Sequence, residues 1–171
     1  MDDQQAWQDA QLSAWECYEK LPADRRQQLD LLIERIMLLK ENLMGLALAA
    51  GSGLICGECG GTCCLYGKFH VTMLDMIICR KHSTEPLIPD FSTFPFCPYG
   101  SADGCCFTPR LRPLTCVIFN CDFIEERLNL HAYQQAALFE RELREACACA
   151  EKIAESRLTR AALLAAETEK P

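Results

Sequence analysis

Ten of the thirteen cysteines in this 171-residue chain fall between positions 56 and 121, and no other feature constrains its fold as tightly. The same stretch holds six of the nine glycines and six of the eight prolines, which leaves little room for long helices or strands. A segment with so few regular hydrogen bonds needs another source of order, and clustered thiols offer two, disulfides or metal. An odd cysteine count excludes complete internal pairing. The chain opens on the polar run Met1-Asp2-Asp3-Gln4-Gln5, where an export signal would show a positive end followed by an apolar stretch. Residues 43–56 are the most apolar segment, yet they contain three glycines and fall short of the roughly 20 residues that span a bilayer. The expectation is a soluble cytoplasmic protein, where a reducing environment favours metal ligands or redox thiols over disulfides.

The composition changes at about residue 55 and again at about residue 122, dividing the chain into a helical segment 1–55, a cysteine-rich region 56–121 and a helical segment 122–171. Acidic side chains outnumber basic ones nine to five in the first segment and ten to seven in the last, and the middle holds five of each. A net charge of -7 argues against nucleic acid or an anionic membrane as partner, because both require a cationic face. With 50% hydrophobic residues there is enough apolar surface for a core, which excludes disorder as the main state.

Apolar residues recur at helical spacing in both flanks. Trp7, Ala10, Ala14, Trp15 and Tyr18 share one face of a first helix. Pro22 suits the first turn of a second, whose stripe is Leu29, Leu32, Ile33, Ile36, Leu39, Leu43 and Leu46, and Gly51 and Gly53 stop it. A third helix is predicted over 130–166, with Phe139, Leu143, Ala146, Cys147, Ala150, Ile153, Ala154, Leu158 and Ala161 along its stripe. Thr72 followed by Asp75 reads as a capping box opening a short helix. The expected fold is mainly α, with long helices in a hairpin or bundle carrying a loop-rich metal-binding region with little sheet, all in one compact domain. The alanine-rich third helix also suits a homodimer contact or a protein partner.

Within the middle region, Cys56-Gly-Glu-Cys59-Gly-Gly-Thr-Cys63-Cys64 supplies four thiols in nine residues. A tight Cys-x-x-Cys turn points two thiolates at one ion, and glycine tolerates the backbone this requires. A redox pair or apolar cysteines are the alternatives. A second group comprises Cys97-Pro98, Cys105-Cys106, Cys116 and Cys121, with Arg112-Pro113 between the last three thiols' positions. Arg112 can donate to sulfur or to Asp103 near the cluster, or it is a surface arginine in a turn. His70 and His82 flank the short helix and could each complete a site, although a solvated or hydrogen-bonded histidine is the favoured reading, and His131 has no assigned role. Cys147 reads as a small core residue, and Cys17, Cys79 and Cys149 as ordinary thiols.

The order Cys-x2-Cys-x3-Cys-Cys, Thr-x-x-Asp, Cys97, then Cys106-x9-Cys116 enclosing Arg112-Pro113 resembles the YkgJ-type cysteine-cluster family, described as zinc- or iron-chelating. The resemblance spans about 54–121 and implies Cys56, Cys59, Cys63, Cys64, Cys97, Cys106 and Cys116 as the ligand set. This chain departs from the pattern in placing Gly60-Gly61-Thr62 before the Cys-Cys pair, and it has Pro109 and Val117 where the family favours an aromatic residue and an arginine. Cys105 and Cys121 stand ready as substitute ligands.

The seven to nine candidate thiolates in the region exceed the four that one tetrahedral zinc or one [4Fe-4S] cluster takes, so there are two centres or some thiols only surround one. Adjacent Cys-Cys pairs favour an iron–sulfur cluster, which accepts thiolates from several directions, and zinc stays open beside it. Three functions follow as expectations: a metal-binding protein with a redox or protein-modification role, a zinc-stapled interaction module, or an iron–sulfur enzyme. The sequence shows no GxGxxG fingerprint and no P-loop to favour the enzyme.

Overall fold

A computed structural model of the chain describes residues 2–58, 64–85, 87–101 and 104–165. The architecture is mainly helical. Helix α1 (Asp3–Glu19) is capped by the Asp2 carboxylate, which accepts from the Gln5 amide, and it buries Ala6, Trp7, Ala10, Ala14 and Tyr18. Helix α2 (Ala23–Ala49) starts immediately after Pro22 and buries Leu29, Ile33, Ile36, Leu39 and Leu43 on the expected stripe. The chain then turns at Gly51, whose φ of 92° lies where glycine is tolerated best, and re-enters helix as α3 (Ser52–Glu58). The glycines thus end α2 as expected, but Gly53 sits inside the next helix rather than in a loop. Cys56 is therefore held on a helix and not on the tight turn that the Cys-x-x-Cys spacing suggests, because Leu54 and Ile55 amides both bond back to the Gly51 carbonyl.

Helix α4 (Met73–His82) carries the full capping box: Asp75 N donates to Thr72 Oγ1 at 3.2 Å while the Asp75 carboxylate accepts from the Thr72 amide at 3.0 Å. All residues from Met73 to Cys79 are buried, so α4 is the central element of the core. Among the described residues of 84–113 there are only short turns and a two-residue antiparallel ladder pairing Gly100 with Cys105 and Ser101 with Gly104. Helices α5 (Leu114–Ile118) and α6 (Asp122–Glu125) follow.

Helix α7 (Leu130–Ala154) pairs with α2, with Arg25 bonding Glu155 and Arg35 bonding Glu142 along the seam. Their order along each helix makes the pair antiparallel. Leu31, Leu38 and Leu138 stay exposed.

The third helix is shorter than its apolar stripe implies. It ends at Ala154 because Glu155 takes the left-handed conformation, φ 51°, and the Glu155 and Ser156 amides both bond to the Glu151 carbonyl. The Glu151 carboxylate then accepts from the Thr159 amide and hydroxyl at 2.9 and 2.6 Å. This local network outcompetes helix propagation and turns the chain back. Residues 158–162 run beside the start of α4, with Met73 N donating to Arg160 O, Leu74 N to Leu158 O and Ala162 N to Val71 O. Leu158 reaches the core after all, from a turn, and α8 (Ala162–Ala165) completes the fold.

One hydrophobic cluster draws on α1, α2, α4, α7 and α8 together with Tyr99, Phe107 and Val117, and a small second one joins Ala47, Ile55 and Ile124. No helix among the described residues is long and apolar enough to cross a membrane.

Candidate metal centre

Three irregular segments meet against the end of the core near α4. The first, residues 64–70, enters through Tyr66 in a left-handed conformation and a single tight turn over Gly67–Phe69. Tyr66 N donates to Pro95 O at 2.8 Å, tying it to the second segment, residues 94–106. That segment folds on itself, because the Tyr99 carbonyl accepts from both the amide and the thiol of Cys106, each at 2.9 Å. The third is α5, where Cys116 lies one turn from Pro113 and its Sγ is 3.4 Å from His70 Nδ1.

The cysteines of these segments share one neighbourhood. Cys116 lies in the electrostatic field of Cys105, Cys97, Asp75 and Cys64, and Cys97 in that of Cys105 and Cys106. Ionising one thiol therefore makes the next harder to ionise. Burial acts first and in the same direction, pushing Cys97, Cys106 and above all Cys116 upward, although the Tyr99 amide partly offsets it at Cys97. Burial also lowers His70, leaving its imidazole neutral near pH 7. Thiols of this kind stay protonated on their own, and a bound cation is what makes thiolates of them.

Gly67 forms a close cradle: a Cβ there would stand 2.6 Å from Cys97 Sγ and 2.8 Å from Cys97 Cβ. No side chain larger than hydrogen fits between this turn and Cys97. Tyr99 closes the inner wall, 2% exposed, packed on Trp7 and Phe107 with ring centroids 5.6 and 5.2 Å away. Its hydroxyl is buried with no hydrogen-bond partner among the described residues.

Of the cysteines singled out from sequence, Cys64, Cys97, Cys105, Cys106 and Cys116 fall within electrostatic range of one another. Cys97, Cys105, Cys106, Cys116 and Cys121 are all thiols rather than disulfides. Cys59 and Cys63 lie outside the described residues, and so does Asp103. Cys56 is exposed on α3, and Cys121 packs with the separate Ala47–Ile55–Ile124 group. Among the described residues Arg112 is recorded against no thiol: its Nη1 lies 3.9 Å from Met44 Sδ on α2, and its Nε is buried without a partner there. The turn over Pro109–Leu111, which packs on α2, carries the guanidinium in that direction. Among the described residues, no three His, Cys, Asp or Glu side chains stand close enough together to hold a metal ion.

His70 reads from sequence as a solvated or hydrogen-bonded histidine that could complete a site, and only the long-range approach of α5 puts a thiol beside it. Tyr99 follows Cys97-Pro98, but nothing local marks its burial. In comparisons with known proteins, no family model, no curated protein and no solved structure matches the chain.

Proposed function

We propose that this is a metal-binding protein whose cysteine-rich region holds zinc or an iron–sulfur cluster, the role that the resemblance to the YkgJ-type family implies. The observation that carries the reading is that Cys64, Cys97, Cys105, Cys106 and Cys116, on two loop segments and the short helix α5, fall within electrostatic range of one another with almost no sheet to hold them there. Loops of this kind cost about 1–2 kcal/mol of backbone entropy per ordered residue, and metal–thiolate bonds are a source of order strong enough to offset much of that cost. Soft thiolates with a neutral imidazole beside them suit zinc or iron. The Tyr99 hydroxyl, buried with no hydrogen-bond partner among the described residues, supports a polar group seated beside it. A reducing cytoplasm would keep the thiols available.

The reading is tested by comparing Cys97→Ser and Cys116→Ser with Cys147→Ser, a buried thiol of α7 outside the site. Metal bound per chain, measured by elemental analysis, should collapse in the first two and persist in the third. Equal metal content in all three would overturn the assignment.

A further inference from the structure

We propose that the cavity between α1 and the C-terminal half of α4 binds a small hydrophobic zwitterion, the chemistry of an apolar amino acid or a short peptide. None of the cysteines of the candidate metal centre lines it, and the inference is independent of the metal-binding reading. The cavity measures about 550 Å³ and is closed on its third side by the chain that follows α4. That volume falls within the roughly 300–1,000 Å³ of small-molecule sites. Its floor is apolar, since Trp7, Met76 and Ile77 line it and all three are buried in the core. Trp7 and Trp15, the two tryptophans of the chain, both border it.

Two opposite charges stand on the wall of this cavity without neutralising each other. Among the described residues, no ion pair or hydrogen bond engages the Arg80 guanidinium or the Glu85 carboxylate. The guanidinium is nonetheless held in place. Its central carbon lies 4.2 Å from the centre of the Trp15 ring, and that ring stacks on Tyr18 with centroids 5.1 Å apart. Stacking uses the flat face of a guanidinium and leaves its N–H donors free in the plane, where a carboxylate takes two of them at once. Glu85 follows the end of α4 in a turn where its carbonyl accepts from Ser83 Oγ at 2.7 Å, and its carboxylate suits an ammonium. A plain carboxylic acid would meet the Glu85 charge, and a plain amine would meet Arg80. A ligand with both ends satisfies both groups while its side chains cover the apolar floor, so burial supplies affinity and the charges supply orientation.

Intrinsic fluorescence reads the site directly, because every tryptophan of the chain borders it. Leucine and leucyl-leucine are the probes, being transparent where indole absorbs. Titrating the full chain should give a saturable change in emission with at least one of them, and the tighter of the two identifies the source. Arg80→Met and Glu85→Gln should each weaken that binding about tenfold or more, with helical circular dichroism unchanged. Blocking either end of the probe, by N-acetylation or C-terminal amidation, should weaken it comparably. No saturable response to either probe, or a response that either variant leaves intact, would overturn the inference. Equal binding of the blocked probes would overturn it as well, the cavity then being an apolar groove indifferent to charge.

Discussion

Lys40 and Asp75 bury a full positive and a full negative charge side by side, at 1% and 2% side-chain exposure and 2.6 Å apart. Desolvation makes such a pair a modest net stabiliser, yet losing one member strands the other. Losing Lys40 leaves Asp75 Oδ1 without that donor, since the Thr72 amide and hydroxyl both donate to Oδ2. Lys40→Met should therefore cost about 3–5 kcal/mol in denaturant unfolding. Adding Asp75→Asn should recover part of it, because a neutral amide can keep the cap without a stranded charge. Nothing in the leucine stripe of α2 announces a buried lysine; its partner lies 35 residues away, beyond the reach of local pattern. The thiol of Cys147 lies on α7, outside the candidate centre. Burial raises it from an ordinary 9.0 to about 12. Between those values the unfolded chain gives up the proton and the folded chain keeps it, so stability falls as pH rises through that window and is unaffected by this group below it. Cys147→Ala should flatten the alkaline loss seen by thermal denaturation.

At the scale of elements, the capping box of α4 was legible as Thr72-x-x-Asp75 because its bonds are local. The stripe of α2 was legible for the same reason. The end of α7 was not. The helical period of apolar residues runs on through Leu158 and Ala161, and neither glycine nor proline marks the break; the stop comes from Glu155 in the left-handed region and the Glu151 network. A glutamate there is strained by about 1–2 kcal/mol. Glu155→Gly should raise stability by about 1 kcal/mol, since the Arg25–Glu155 pair it removes is exposed and worth little. Lower stability in the variant, measured by denaturant titration, would show that the turn depends on that ion pair. The cysteine spacing likewise marked Cys64, Cys97, Cys105, Cys106 and Cys116 as candidates, but not that α3 is helical at Cys56 or that Arg112 points at Met44. Both depend on packing against α2 and its neighbours.

For the whole molecule, the helical core and the loop region draw on different sources of order. The packed faces of α1, α2, α4 and α7 bury their apolar side chains independently of any metal. Residues 64–70 and 94–118 are joined mainly by isolated backbone bonds and thiol contacts. A strong chelator should therefore leave most helical circular dichroism intact while proteases gain access to these loops. Equal protection of loops and helices after chelation would mean that the loops need no metal. Elemental analysis of native protein purified without oxygen tests the central claim most directly. The account predicts at least one zinc per chain, or iron with acid-labile sulfide. A folded chain free of zinc and iron would contradict it.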